Sequence, residues 1–208
     1  MVFIEALFWF VLAFILAAVE IEIEGKYGWA EKLPTWYRKN GYTRIFSIFG
    51  VYRPLTGYHL FMKLFIIVVF HAGFFLGLQW TLTKELMLLA IMVFYFIMWD
   101  FLWFVLNPNY TIKNYSKEKI WWFNKSYWIF GLFPQEYLIA FILSLIFSFI
   151  ASKIANNSLL FINHLYILGL LILFTFLAII FIAPSYHKWY KSMRKRDDRK
   201  ISEIFHRK

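Results

Sequence analysis

The chain has 208 residues, of which 62% are hydrophobic and 24% aromatic, and its formal net charge is +10. Soluble domains are roughly 45–50% apolar, so this composition indicates an integral membrane protein. The absence of cysteine excludes disulfides, thiolate metal sites and cysteine nucleophiles. The basic charge comes with no nucleic-acid motif, so we expect membrane lipids as partners and no nucleic acid.

Five apolar runs approach the roughly 20 residues that a helix needs to cross a bilayer. In chain order they cover residues 2–19, 58–80, 85–106, 135–152 and 159–184. Their length argues against core helices of a small soluble domain, and their continuity argues against strands of a barrel. The sequence therefore predicts an all-α fold, a polytopic integral membrane helix bundle with about five transmembrane helices and interfacial amphipathic segments.

The first run is predicted to be an uncleaved span, since it carries Glu5 where a signal peptide would be basic. It leads into Glu20, Glu22 and Glu24. A helix would place Glu20 and Glu24 on one face, whereas an extended exit would align all three. Pairing with basic residues of the following loop is an equally good explanation of these charges.

The distribution of positive charge predicts the topology. Nineteen of the 22 Lys and Arg residues lie in residues 20–57, residues 107–134 and the tail from Lys188. Short loops rich in Lys and Arg remain cytoplasmic. This places the N-terminus outside and the C-terminus inside, with residues 1–187 as a single membrane domain and 188–208 as a basic cytoplasmic tail.

The same segments carry many aromatic residues, so the two inner loops are expected to lie along the membrane interface. Ile201, Ile204 and Phe205 would suit a surface helix in the tail, although a solvated positive stop explains them equally well. High usage of Phe, Ile, Lys and Asn is typical of an AT-rich genome and predicts a prokaryotic cell membrane.

The second run contains His59, Lys63 and His71. His59 and Lys63 are one turn apart near the inner surface, where Lys63 could extend its ammonium to the headgroups. His71 lies about 20 Å along the helix from Tyr58, in its outer half. A histidine hydrogen-bonded to a neighbouring helix is the favoured interpretation of His71.

Asp100 is the strongest single signal, because a carboxylate at membrane depth must be protonated, paired or bound to a metal. It shares a helix face with Trp103, Phe104 and Asn107. An ion pair with Lys63 is favoured. The alternative is a cytoplasm-facing site that Asp100 shares with His59, an exit glutamate and His187.

Convergence of polar residues from different spans predicts a site on one side of the membrane. Its expected catalytic residues are Asp100, His59, Glu20, Glu24 and His187. Its expected substrate-binding residues are Trp103, Asn107, Trp99, Lys63 and Glu136. His59, Asp100 and His187 are the expected ligands if a metal is bound, and a ligand set without thiolates suits Zn, Fe or Mn.

Glu136 and His187 also have simpler explanations, as a helix N-terminal acid and an interfacial residue. No metal-binding, nucleotide-binding or hydrolase signature occurs in the sequence.

Three functions are compatible with this pattern. The favoured hypothesis is a small membrane-embedded enzyme acting on a lipid or isoprenoid at the cytoplasmic interface. The alternative is a non-catalytic subunit or assembly factor, which would bind other membrane subunits. A transporter or channel ranks third, because five unduplicated spans are few for alternating access. A haem bound by His71 and His164 is a further hypothesis, since both lie toward the outer side.

Overall fold

The structure, a computed structural model, describes residues 1–38 and 53–198. Five of its helices are long and apolar enough to cross a membrane. They are α1 (Val2–Glu24), α2 (Gly57–Phe75), α3 (Leu82–Leu106), α4 (Gln135–Ile154) and α5 (Ser158–Leu177), the last continuing through a π-helical segment (Ala178–Ile182) into α6 (Ala183–Lys195). The helical fold and the number of long apolar helices match the sequence prediction.

The helix α1 extends five residues beyond its predicted end, so the three glutamates are helical and the extended alternative is wrong. Glu20 and Glu24 are buried, whereas Glu22 faces outward and pairs with Arg194 at 3.0 Å. Gly25 then ends the helix with a φ of +60°, a conformation that glycine adopts without the steric cost of a side chain. This turn directs the chain back over the ends of the helices.

The helix α2 ends earlier than predicted, at Phe75, and α3 begins at Leu82. The connection between them is therefore longer than the sequence suggests. At the other end of α2, the side chain of Thr56 accepts a hydrogen bond from the His59 amide at 3.2 Å. Threonine is a favourable N-cap residue, and this cap fixes where the helix starts.

The last helix does not end at Pro184, where the fifth apolar run was predicted to end. The chain widens into the π-helical segment just before it, and α6 continues to Lys195. Proline removes an amide donor and crowds the preceding turn, and it is tolerated in the first turn of a helix. The first part of the predicted basic tail is therefore helical. The predicted surface helix with Ile201, Ile204 and Phe205 lies outside the described residues.

The helix α3 is the centre of the bundle. In its most apolar window 56% of the residues are buried, against 17 to 28% in the other four long helices. It packs chiefly against α1 and α4, and α5 packs against α1 and α4 from the far side. Large apolar side chains on the remaining faces, such as Phe8, Phe65 and Phe176, are more than half exposed. Such faces suit contact with lipid.

The described parts of the two long loops fold back onto one end of the bundle. The first contains strands β1 (Tyr37–Arg38) and β2 (Leu55–Thr56), which pair antiparallel. The second contains two short 3-10 helices (Ile112–Asn114 and Trp121–Phe123) and an antiparallel pair, β3 (Trp128–Ile129) and β4 (Phe133–Pro134).

The two loops meet at Gly28. A Cβ atom at this residue would lie 2.0 Å from the indole ring of Trp122. The aromatic residues Trp122, Phe123 and Trp128 are buried against the helices. The described loop segments thus form an aromatic layer that closes this end of the bundle.

Candidate functional site

Four helix ends converge beneath the aromatic layer. They are the C-terminal turns of α1 and α3 and the N-terminal turns of α2 and α4. Each contributes ionisable or hydroxyl side chains to a common region: Glu20 and Glu24 from α1, His59 and Lys63 from α2, Asp100 from α3, and Glu136 and Tyr137 from α4. The antiparallel arrangement of successive helices brings these residues together.

Glu20, Glu24 and His59 form the most compact group. The His59 Nε2 atom lies 3.6 Å from Oε1 of Glu20 and 3.7 Å from Oε1 of Glu24. One potential ligand atom from each of the three residues lies within 4.8 Å of the other two. All three residues are buried, His59 with only 4% of its surface exposed. The group could therefore hold a metal ion.

The two nitrogen atoms of the His59 ring differ in their surroundings. The Nδ1 atom lies 2.7 Å from Oγ1 of Thr56, the residue that also caps α2. The Nε2 atom is buried and has no hydrogen-bond partner among the described residues. If Nδ1–H donates to Thr56, Nε2 presents its lone pair to the two carboxyl groups. A hydrogen bond of this kind commonly orients a histidine that binds a metal.

Trp29 holds both sides of the site in position. Its indole stacks on the His59 ring, with centroids 4.0 Å apart and planes at 19°. The guanidinium of Arg53 lies 4.5 Å from the same indole, whose Nε1–H donates to the Pro54 carbonyl at 2.9 Å. Trp29 is therefore a positioning residue for His59 and Arg53.

The backbone at Trp29 and Ala30 is strained. Both residues have left-handed φ values, 56° and 53°, which non-glycine residues adopt at a steric cost. This conformation directs the Ala30 amide to Oε1 of Glu24 at 2.5 Å. Strained residues concentrate at functional sites, where surrounding contacts hold them in place. Here the strained turn fixes the Glu24 carboxyl group.

The ion pair that the structure shows for Asp100 is with Arg53, with 3.0 Å between Nη1 and Oδ1, instead of the Lys63 pair that the sequence favoured. The other carboxylate oxygen accepts a hydrogen bond from the Tyr137 hydroxyl at 2.6 Å. The Arg53 guanidinium also packs over the Phe123 ring, 3.7 Å from its centroid. Its partner could not be inferred from helix spacing, since Arg53 belongs to a loop.

A cavity of about 430 Å³ opens from this region. Its ionisable lining residues are Glu20, Arg53, His59, Lys63, Asp100, Glu136 and Tyr137. The remaining lining is apolar or aromatic and includes Leu64 and Ile67 of α2, Val93 and Phe96 of α3, and Ala140 and Leu143 of α4.

The polar and apolar linings are separated along each helix. On α3, Val93 is seven residues from Asp100, and on α4, Leu143 is seven residues from Glu136. At about 1.5 Å per residue, each apolar position lies about 10 Å deeper in the bundle. The cavity therefore changes from polar at the helix ends to apolar toward the middle of the helices.

The other expected site residues divide into two groups. Trp99 and Glu136 line the cavity, and Glu136 accepts a hydrogen bond from the Ser126 hydroxyl at 2.5 Å. Trp103, Asn107 and His187 are not among the lining residues.

These three residues have contacts elsewhere. Asn107 donates to the Gly25 carbonyl at 2.8 Å, and Trp103 packs on Tyr110. The His187 Nε2 atom lies 3.0 Å from the Val105 carbonyl oxygen. The structure therefore does not bring the predicted metal set of His59, Asp100 and His187 together.

The other described histidines contact neighbouring helices. The His71 Nε2 atom lies 3.1 Å from Oε1 of Glu85 on α3, in agreement with the favoured interpretation of a histidine hydrogen-bonded to a neighbouring helix. His164 on α5 lies 2.8 Å from the Ser144 hydroxyl of α4. The His164 Nδ1 atom is buried and has no hydrogen-bond partner among the described residues. The haem hypothesis stays a prediction.

Three residues near the site, Thr56, Trp29 and Tyr137, are absent from the sequence prediction. Arg53 was also not predicted as the partner of Asp100. Thr56 could have been found, because a threonine directly before an apolar run is an N-cap signal. The other three carry no local signal, since their roles depend on the folding of the loops.

Near these residues, burial raises the pKa of the Tyr115 phenol, which therefore remains protonated over the physiological range.

Comparison with protein-family models, curated proteins and solved structures finds no match for this chain. Inferences about function consequently depend on the geometry of the site.

Proposed function

We propose that this protein is a small membrane-embedded enzyme that acts on a lipid or isoprenoid substrate at the cytoplasmic interface. The observation that carries the proposal is the division of the cavity into a charged end and an apolar end. A lipid has the same division between its headgroup and its hydrocarbon tail. Ligand sites are commonly apolar clefts with a few polar groups that fix orientation, and about 430 Å³ is within their usual range.

The charged end offers groups for recognition and for proton transfer. Arg53 and Lys63 line the cavity and provide positive charge for an anionic or polar headgroup. In the absence of a metal ion, His59 and Glu20, which line the same wall, could serve as a general acid and base. Buried ionisable groups in apolar helices are expensive, so a gathering of this kind supports a catalytic role.

The position of the charged end supports action at the cytoplasmic interface. The described loop residues that cover it belong to segments 20–57 and 107–134, and these two segments carry ten of the Lys and Arg residues. By the positive-inside rule these loops are cytoplasmic. A substrate in the inner leaflet would then place its headgroup below the aromatic layer and its tail between α2, α3 and α4.

The direct test is conversion of a lipid. The purified protein would be reconstituted with the polar and isoprenoid lipids of its own membrane, and the lipids would be followed by mass spectrometry. We expect one species to be consumed by the wild type and to persist with His59→Ala. Absence of any wild-type conversion, together with stoichiometric partner chains after gentle extraction, would favour the subunit alternative.

The apolar end can be tested separately with two neighbouring positions on α4. Leu143 lines the cavity, whereas Ile142 is 44% exposed and is not a lining residue. We expect Leu143→Trp to reduce the amount of lipid retained in native mass spectra and to slow conversion. The matched variant Ile142→Trp should behave as the wild type, and equal effects of the two would contradict tail binding in this cavity.

A further inference from the structure

The buried Nε2 atom of His59 requires an explanation. Buried polar atoms nearly always have hydrogen-bond partners, and an exception marks strain, chemistry or an ion. The ring is held by Thr56 at one nitrogen and by stacking on Trp29. The other nitrogen faces Oε1 of Glu20 and Oε1 of Glu24 at 3.6 and 3.7 Å, too far for a hydrogen bond.

From this geometry we propose that Glu20, Glu24 and His59 bind one divalent transition-metal ion, with Zn²⁺ as the ion that fits best. Ligands about 2.0–2.1 Å from a tetrahedral zinc ion stand about 3.4 Å apart. The two observed distances exceed this value by only a few tenths of an ångström. One imidazole and two carboxylates are suitable donors for zinc.

Charge also favours a divalent cation. Two carboxyl groups beside one another in a buried region must be protonated or compensated by a positive charge, because isolated buried charges are costly. Asp100 already has Arg53 as its partner, whereas the described contacts of Glu24 include the Ala30 amide and the His59 ring. A divalent ion would neutralise both glutamates at once.

The surroundings would leave the ion accessible from one direction. Glu20 and His59 line the cavity, whereas Glu24 lies behind them under the strained turn at Trp29 and Ala30. Three protein ligands and a fourth position open to the cavity are typical of catalytic zinc sites. This inference deepens the proposed function, and only the chemical role of the ion depends on that function. In the proposed enzyme the ion would polarise a substrate oxygen or activate a water.

Metal binding can be tested without any substrate. The full chain, purified with a tag that lacks histidine, would be stripped with a chelator and titrated with Zn²⁺ by calorimetry. Bound metal would then be counted by elemental mass spectrometry. We expect one equivalent in the wild type and an affinity loss of at least about 100-fold in Glu20→Gln, Glu24→Gln and His59→Gln, since even outer partners of a site contribute about 10–100-fold.

The pair His71 and Glu85 is a matched control, because it joins the same residue types at 3.1 Å in the same protein. His71→Gln and Glu85→Gln should retain full zinc affinity. Thr56→Val should lose about 10–100-fold, whereas Thr56→Ser, which keeps the hydroxyl, should lose much less. Circular dichroism would verify the helical content of each variant.

Absence of zinc uptake by the folded wild type would overturn the proposal, as would unchanged affinity in Glu20→Gln and Glu24→Gln. These outcomes differ from failure of the proposed function. Lipid conversion that persists in the metal-free protein would support the proposed enzyme and contradict a role for the metal in its reaction. Stoichiometric zinc binding without any lipid conversion would support the metal site and contradict the proposed lipid enzyme.

Discussion

Each end of the bundle contains histidine beside glutamate, and the two arrangements differ in how completely they are satisfied. Near the start of α3, His71 contacts the Ile67 carbonyl oxygen at 2.7 Å and Glu85 at 3.1 Å. The second carboxylate oxygen of Glu85 accepts from Trp80. At the other end, His59 has two glutamates beside it and a nitrogen with no hydrogen-bond partner in the described chain.

The contrast separates a structural contact from a candidate site. The His71 pair is partly exposed and uses its polar atoms within the protein. The His59 group is buried, lies beside a cavity and is held in place by an aromatic residue and a strained turn. Residue type alone does not distinguish them. Burial and the absence of a hydrogen-bond partner among the described residues do, because a buried nitrogen without a partner gains from binding a ligand.

The largest expected effect is that of Trp29→Ala. It removes the stacking surface of His59 and Arg53 and a hydrogen bond to Pro54. Truncation of a buried tryptophan costs about 3–5 kcal/mol, so we expect a large fall in the thermal midpoint measured by circular dichroism in detergent. Trp80→Ala at the other end is the control: Trp80 is 58% exposed, and its loss should shift the midpoint little. Equal shifts would show that Trp29 does not organise the site.

The next effect is that of Asp100→Asn, which leaves Arg53 without its ionic partner. Breaking a fully buried ion pair from one side costs about 3–5 kcal/mol, because the remaining charge is uncompensated. This pair is only partly buried, with 24% of the Asp100 side chain exposed, so we expect a smaller loss. The expected readout is again a lower thermal midpoint. The double variant Arg53→Met with Asp100→Asn should recover part of the loss, since it removes the stranded charge. A double variant no more stable than Asp100→Asn would argue against this explanation.

The smallest effect is expected for Glu85→Gln. This substitution weakens the pair with His71, which has about a fifth of each side chain exposed. Pairs near a surface contribute between 0 and about 1 kcal/mol, so the thermal midpoint should change by a few degrees at most. A fall as large as that of Asp100→Asn would mean that the two ends do not differ in the way proposed here.

The sequence predicts the helices well and the site in part. The apolar runs give all five long helices, because the length needed to cross a bilayer is a strong constraint. Spacing in α1 gives Glu20 and Glu24 as one face, and the alternation of helix direction places them near His59 and Asp100. It does not give Arg53 as the partner of Asp100, nor Trp29 as the support of His59. Both are loop residues, and a loop's position follows from contacts distant in the chain.

By itself, the sequence determined the helical fold class, the long apolar segments and the end of the bundle where ionisable residues gather. These follow from local hydrophobicity and from helix geometry, which act over a few residues. The tertiary structure alone decided which groups meet. It paired Asp100 with Arg53, moved His187 away to the Val105 carbonyl, and left Nε2 of His59 facing two glutamates. Such pairings depend on distances of a few ångströms between residues far apart in the chain, and only the packing of helices and loops sets those distances.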